Sequence, residues 1–255
     1  MSTLNDKQVE EVFGLMKHSD SVELKLTVVD SAIRSTAEAL DMDPLQAEIR
    51  QVVFFDTPDL TLSKAGVVVR ARRIQGGGGD TVIKLRPVNP GTLPPEVRQS
   101  ASVKVEVDTM PTGFVCSASM KGKTTADDVR AVVLGRLKPR DLFTKEQRAF
   151  YKANAPAGLK LSQLSVLGPI NLMKLELKPD GVKRNFVAEL WMYPDGSRIL
   201  ELSTKATHKD AFHVAAETRD FLKKKGLDLT AEQQPKTNRA LKHFTDLLKK
   251  VRARN

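Results

Sequence analysis

Apolar and charged residues alternate along much of this chain. In VELKLTVV (Val22–Val29), Val22, Leu24 and Leu26 fall on one side, and Ser21, Glu23 and Lys25 on the other, because successive strand side chains point to opposite faces. Ile49–Asp56 reads as a second strand, and the same period of two runs through Gly66, Val68, Arg70 and Arg72, and through Val82, Lys84 and Arg86. It returns in VKVEVD (Val103–Asp108), where Lys104, Glu106 and Asp108 share a face, and in NFVAELWMY (Asn185–Tyr193). In RILELSTK (Arg198–Lys205), Glu201, Ser203 and Lys205 share one. Leu161–Leu167 and Leu172–Lys178 predict two further strands, and Lys138–Lys152 is expected to carry Arg148 in another.

Asp6–Lys17 and Thr124–Arg136 read as helices. Ser31–Leu40 is expected to be another, capped by Asp30 or Ser31 and ended by Pro44. Ala211–Lys225 reads as a helix with Gly226 as its C-cap, and Pro235–Val251 as a last, basic one. Turns are predicted at Thr57-Pro58-Asp59 and Pro194-Asp195-Gly196, and Pro87–Pro95 is an extended loop.

Gly76–Gly79 separates two of the strands, so a hairpin with a loose loop is expected there. Folding it about Gly78 would set Arg72 against Lys84 and Arg70 against Arg86, four cations on one face. Two unit charges about 5 Å apart repel by roughly 3 kcal/mol at an effective dielectric of about 20. Such a face calls for an anion.

Composition bounds the anion only loosely. The 255 residues carry a formal net charge of +10, which suits phosphate-bearing partners. A single cysteine, Cys116, excludes an intrachain disulfide and a cysteine metal cluster, fits a reducing compartment, and reads best as a small buried hydrophobe. No apolar run approaches the ~20 residues of a membrane helix, and the polar N-terminus lacks a secretory signal's apolar region. The expected address is cytoplasmic. The four glycines are no phosphate loop, since no Gly-Lys-Ser/Thr follows. His208 and His213 stand five apart, a spacing that fits no helical ligand pair. Aromatics make up 5% of the chain, too few to support a nucleic-acid stacking surface, so Trp191 is assigned to the core. The basic tail Lys242–Arg254 reads as a solvated helix face.

Several strands thus carry charge on one face and aliphatics on the other. Glu23, Glu106, Glu189 and Glu201 supply carboxylates, and Arg70, Arg72, Lys84, Arg86 and Arg148 supply cations. A closed barrel with that face inward would enclose a hydrated, charged tunnel.

The segment FFDTPDLTLSKAGVVVRARR resembles the second and third strands of the CYTH superfamily, the triphosphate tunnel metalloenzymes, which pair an aromatic-Asp-Thr-Pro turn with an Arg-x-Arg strand. The family's opening Glu-x-Glu-x-Lys is similar to Ser21-Val22-Glu23-Leu24-Lys25, with serine at the first glutamate. Its Arg-x-Arg matches Arg70 and Arg72, and its next-strand lysine matches Lys84, with Arg86 on the same face. Its following acidic strand resembles VKVEVD, at Glu106, and its later arginine before an aromatic matches Arg148. Its late Glu-x-Glu resembles Glu201-Leu202-Ser203, again with one serine, and Glu189 precedes it on the strand before. A lysine near a helix start matches Lys236, with Arg239 after it.

The resemblance implies an α+β fold: a closed antiparallel tunnel of about eight strands with surrounding helices. Residues 1–20 would form a helical extension and residues 21–252 a single tunnel domain. It implies metal-dependent hydrolysis of a linear triphosphate or short polyphosphate, with Mg²⁺ or Mn²⁺ as cofactor. Adenylate cyclase activity is one alternative, and a catalytically weak triphosphate- or polyphosphate-binding protein is another. Glu23, Lys25 and Glu201 would be catalytic. Lys25, Arg70, Arg72, Lys84, Arg86, Arg148 and Lys236 would hold phosphates, and Glu23, Glu106, Glu189 and Glu201 the metal. The expected ligand is a triphosphate, nucleotide or polyphosphate. Neither membrane nor nucleic acid is expected as a partner, and a homodimer is left open.

Overall fold

The structure, a computed structural model, describes residues 6–230, 233 and 236–252. Residues 1–5 of the expected N-terminal extension, Pro235 at the expected start of the last helix, and residues 253–255 of the basic tail lie outside the described residues. Nine strands form a closed barrel: β1 (Ser21–Val28), β2 (Glu48–Asp56), β3 (Val67–Ile74), β4 (Gly78–Leu85), β5 (Val103–Met110), β6 (Gly113–Thr125), β7 (Ser165–Leu177), β8 (Phe186–Met192) and β9 (Arg198–Ala206). Their order around the barrel is β1-β5-β6-β4-β3-β2-β7-β8-β9, and β9 pairs back to β1. The expected tunnel is therefore present, with nine strands rather than about eight. It is not wholly antiparallel, because β1 runs parallel to β5, with Glu23 beside Asp108.

Eight helices are described around it: α1 (Asp6–Lys17), α2 (Ile33–Ala39), α3 (Thr61–Lys64), α4 (Pro95–Arg98), α5 (Ala126–Val133), α6 (Lys145–Asn154), α7 (Ala211–Lys224) and α8 (Lys236–Arg252). No described helix is long and apolar enough to cross a membrane. The aliphatic faces of the strands point outward under these helices. Val12 and Met16 of α1, with Val129 and Val132 of α5, share a buried cluster with Val53, Val69, Ile83 and Val107. Phe221 and Leu222 of α7 cover Leu26, Phe186 and Leu202. On the inward face of β2, β7 and β8, Val52, Phe54, Leu172 and Trp191 pack instead with Ala240, Leu241 and Phe244 of α8. Helix α8 thus covers part of the barrel interior, and charged and polar side chains line much of the rest.

Several expectations are corrected. The β3–β4 hairpin turns nearer Gly76 than Gly78, since Gly78 and Gly79 belong to β4, and Arg72 lies opposite Asp80 and Arg70 opposite Val82. The slip is even, so every inward residue stays inward. Leu161–Leu167 and Leu172–Lys178 are not two strands: Leu161–Gln163 is a 3₁₀ turn, and one 13-residue strand, β7, follows. A register shift between Val52 and Phe54 accommodates it against β2. Strand β6 was unforeseen, because its Ser, Ala, Gly and Thr content weakens the apolar alternation; it also displaces the start of α5 from Thr124 to Ala126. The expected cap of Ser31–Leu40 is absent: residues 30–32 form a 3₁₀ turn, and Ala32 precedes α2 without a side-chain cap.

Arg148 is not in a strand. Thr144 and Gln147 form a capping box that starts α6. The helix lies outside the barrel, where Gln147 Nε2 donates to the Thr81 and Met120 carbonyls at 3.2 and 3.1 Å. Gly122 makes this seat possible, because a Cβ there would stand 2.4 Å from Gln147 Oε1.

Candidate functional site: the charged barrel interior

Alternation brings one face of β1, β3, β4, β5, β8 and β9 into the barrel, and the charged residues of those strands meet there. Asp108 is its centre on the β5 side. Its carboxylate is fully buried and faces Lys25 Nζ at 3.0 Å, Arg86 Nη1, and Lys84 Nζ at 3.9 Å. Three cations therefore share one carboxylate. Burial works against the Asp108 carboxylate, but Lys25, Lys84 and Arg86 outweigh it and hold its pKa below the ordinary value. Lys25 also reaches Glu23 Oε2 at 3.1 Å. Burial would lower the Lys25 ammonium; Glu201, Glu23 and Asp108 together hold it above its usual value.

A second knot lies on the β8–β9 side. Glu189 and Glu201 are direct cross-strand neighbours. Lys236, the first residue of α8, places Nζ between them, 2.7 Å from Glu201 Oε1 and in contact with Glu189 Oε2. Trp191 Nε1 donates to Glu189 at 3.2 Å, and its ring centroid lies 5.0 Å from the ammonium. Burial opposes the charge on Glu189 and on Lys236. Lys236 nevertheless drives Glu189 far below the ordinary carboxylate range, and Glu189 with Glu201 raises Lys236.

Between these knots the cations are under-compensated. Arg72 is satisfied, with a two-pronged contact to Asp80 at 2.9 and 2.6 Å. Arg70, next on the same face, has a buried Nε with no hydrogen-bond partner. Burial, then Arg72, pushes its guanidinium down to about 10, against the pull of Glu189, Asp80 and Glu106. Lys84 is pushed down to about 8 by burial, with Lys25, Arg70 and Arg86 adding to the effect and Asp108 opposing it. Farther along, Glu106 binds Lys205 Nζ at 2.5 Å, and Lys121 lies within electrostatic reach of Arg70, Arg72 and Lys205.

The structure thus gathers Glu23, Lys25, Arg70, Arg72, Lys84, Arg86, Glu106, Glu189, Glu201 and Lys236 in one interior. It leaves Arg148 out, with Nη1 donating to the Phe143 carbonyl at 2.5 Å on the barrel exterior. Sequence reasoning missed Asp108 and Asp80 as site residues. Asp108 sat two positions after Glu106 on a face already recognised, and that was the available signal. The Asp56-Thr57-Pro58 turn has a structural part: buried Asp56 accepts from the Thr57, Leu62 and Ser63 amides at 2.7, 2.9 and 3.0 Å, fixing α3 and the entrance to β3.

A divalent ion needs oxygen donors free to converge. Each carboxylate expected to hold one already faces an ammonium: Glu23 faces Lys25, Glu106 faces Lys205, and Glu189 and Glu201 face Lys236. Among the described residues, no three Asp, Glu, His or Cys side chains are grouped to hold a metal ion. A dication about 4 Å from an ammonium would be repelled by roughly 8 kcal/mol at an effective dielectric of about 20. As arranged, the residues do not fit Mg²⁺ or Mn²⁺. The two serines are consistent with this. Ser21 Oγ donates to Glu106 at 3.4 Å, and Ser203, opposite Lys25, carries no charge.

No protein-family model matches the chain, and no curated protein matches it significantly. Solved structures do. A candidate adenylate cyclase from Bacillus halodurans superposes with a TM-score of 0.57 at 13% identity, over 86% of this chain and 96% of its own. A Hippeastrum protein, described as a candidate adenylyl cyclase with a dominant triphosphatase activity, superposes with a TM-score of 0.60 at 15% identity, over 83% of this chain and 91% of its own. The shared property is the fold.

Proposed function

We propose, from the CYTH-type tunnel fold of this chain, that the barrel interior binds the phosphate chain of a linear triphosphate and hydrolyses it. One observation carries the reading: buried Arg70 has an Nε without a partner, beside three cations that share Asp108. A multiply charged anion is the ligand that compensates all four at once. Lys25, Lys84, Arg86 and Arg70 hold phosphate oxygens. Arg72, anchored by Asp80, presents its remaining N–H donors to the same chain, and Lys236 does so from the β8–β9 side. Arg148 has no part in it. Glu23, which meets Lys25 through Oε2, positions the attacking water. The water oxygen bonds to the terminal phosphorus and the P–O–P link breaks, giving phosphate with pyrophosphate from inorganic triphosphate, or with the nucleoside diphosphate from ATP, as one proton is released. The cations stabilise the charge that grows on the bridging oxygen. The triphosphatase activity described for the Hippeastrum protein supports hydrolysis over cyclisation.

The test is product analysis with inorganic triphosphate and ATP, on the wild type and Glu23→Gln. The expected outcome is phosphate release by the wild type, with Glu23→Gln binding as well but losing at least about tenfold in rate. Cyclic AMP with pyrophosphate, or binding without any product, would overturn the hydrolytic step.

A further inference from the structure

We infer that this barrel binds its phosphate chain without a divalent metal ion, because Lys25 and Lys236 occupy the carboxylates that would have to hold one. The inference rests on the triphosphate-binding reading above. Lys236 Nζ contacts Glu189 and Glu201, and Lys25 Nζ contacts Glu23 and Asp108. An ammonium has three N–H donors. Lys236 gives two to Glu189 and Glu201, and Lys25 stands at ion-pair distance from Glu23 and Asp108, so each lysine keeps a donor for a phosphate oxygen. Each lysine thereby links an acid pair to the ligand. The two knots also form one network, since Lys25 lies within reach of Glu201 and Lys236 within reach of Lys25.

Three features hold the lysines in these places. Both are largely buried, with 14% and 16% of their side chains exposed. Lys236 is anchored at the start of α8, where its carbonyl accepts from Tyr193 Oη at 3.0 Å, and its ammonium lies over the Trp191 ring. Ser203, directly across from Lys25, and Ser21, directly across from Glu106, add no negative charge that would draw a dication in. A metal entering either acid pair would have to expel a buried ammonium from two carboxylates.

The experiment is calorimetric titration of the full chain with sodium tripolyphosphate, in EDTA and in excess Mg²⁺ at matched ionic strength. The expected result is saturable binding in EDTA, at least as tight as in Mg²⁺, because the magnesium complex carries less charge to the cations. Binding seen only with Mg²⁺, or about tenfold tighter with it, would overturn the inference and leave the binding reading standing. No binding in either buffer would overturn both. Lys236→Met and, separately, Lys25→Met provide the second measurement. Each is expected to weaken binding in EDTA at least about tenfold. If both variants fold and bind as the wild type does in EDTA, the lysines do not take the metal's place.

Discussion

Replacing Arg70 by methionine should strengthen the empty fold and weaken the complex. The guanidinium is buried beside Arg72, its Nε has no partner, and its pKa falls well below the usual arginine value, to about 10. That fall corresponds to roughly 3 kcal/mol of strain on the charged form, present at every pH below about 10. Methionine keeps much of the apolar stem and removes the charge, so about 1–3 kcal/mol should be recovered. For a chain of this length that is a rise of about 2–10 °C in melting temperature. With tripolyphosphate bound, the same change removes a buried charge-assisted contact worth about 2–4 kcal/mol, so the dissociation constant should rise about 30- to 1,000-fold. Melting scans with and without tripolyphosphate read both effects. Arg72→Met is the control of opposite sign, since it strands Asp80 and should lower the melting temperature. A fall in melting temperature for Arg70→Met, with the ligand-induced shift unchanged, would refute the reasoning.

Three further outcomes follow from the same interior. Lys84, at about 8, must be protonated to hold phosphate, so binding takes up a proton above that pH; affinity should be level below about pH 8 and fall by up to tenfold per unit above it. Titrations across pH check this, and Lys84→Arg should flatten the fall; a level wild-type profile would contradict it. Because the folded value lies below the unfolded one, the empty protein should also gain stability as pH rises through 8 toward 10.5. Asp108→Asn removes the carboxylate shared by Lys25, Lys84 and Arg86 and should cost the empty fold about 3–5 kcal/mol in denaturant, with tripolyphosphate restoring more stability than it adds to the wild type. Unchanged stability would show that Asp108 is not their counter-charge.

The barrel was legible because its strands keep the period of two, and that period survives errors of register. The hairpin was misplaced by an even slip, so Arg70, Arg72, Lys84 and Arg86 still fell on the inward face. The inward placement of these four cations was legible for this reason; the position of Arg148 was not. Its error was of a different kind: Thr144 and Gln147 carried the helix-start signal, but an arginine before an aromatic was matched to a strand. Partnering was not legible. Nothing in the alternation indicates that Asp80 answers Arg72 or that Asp108 answers three cations, since these pairs depend on how far neighbouring strands slide along one another. The parallel β1–β5 pair was hidden too, because it joins segments separated by the whole of β2, β3 and β4.

That β1 lies between β5 and β9 also sets when the barrel can close during synthesis. Val22 pairs with Val107 on one side and with Ala206 on the other. The first strand to leave the ribosome must therefore wait for the last, and the seam forms only against a large loss of chain freedom. Until β9 arrives, the cationic lining has no enclosed space to line, and Lys236 arrives later still. Any polyanion that binds the lining would then favour the final closure.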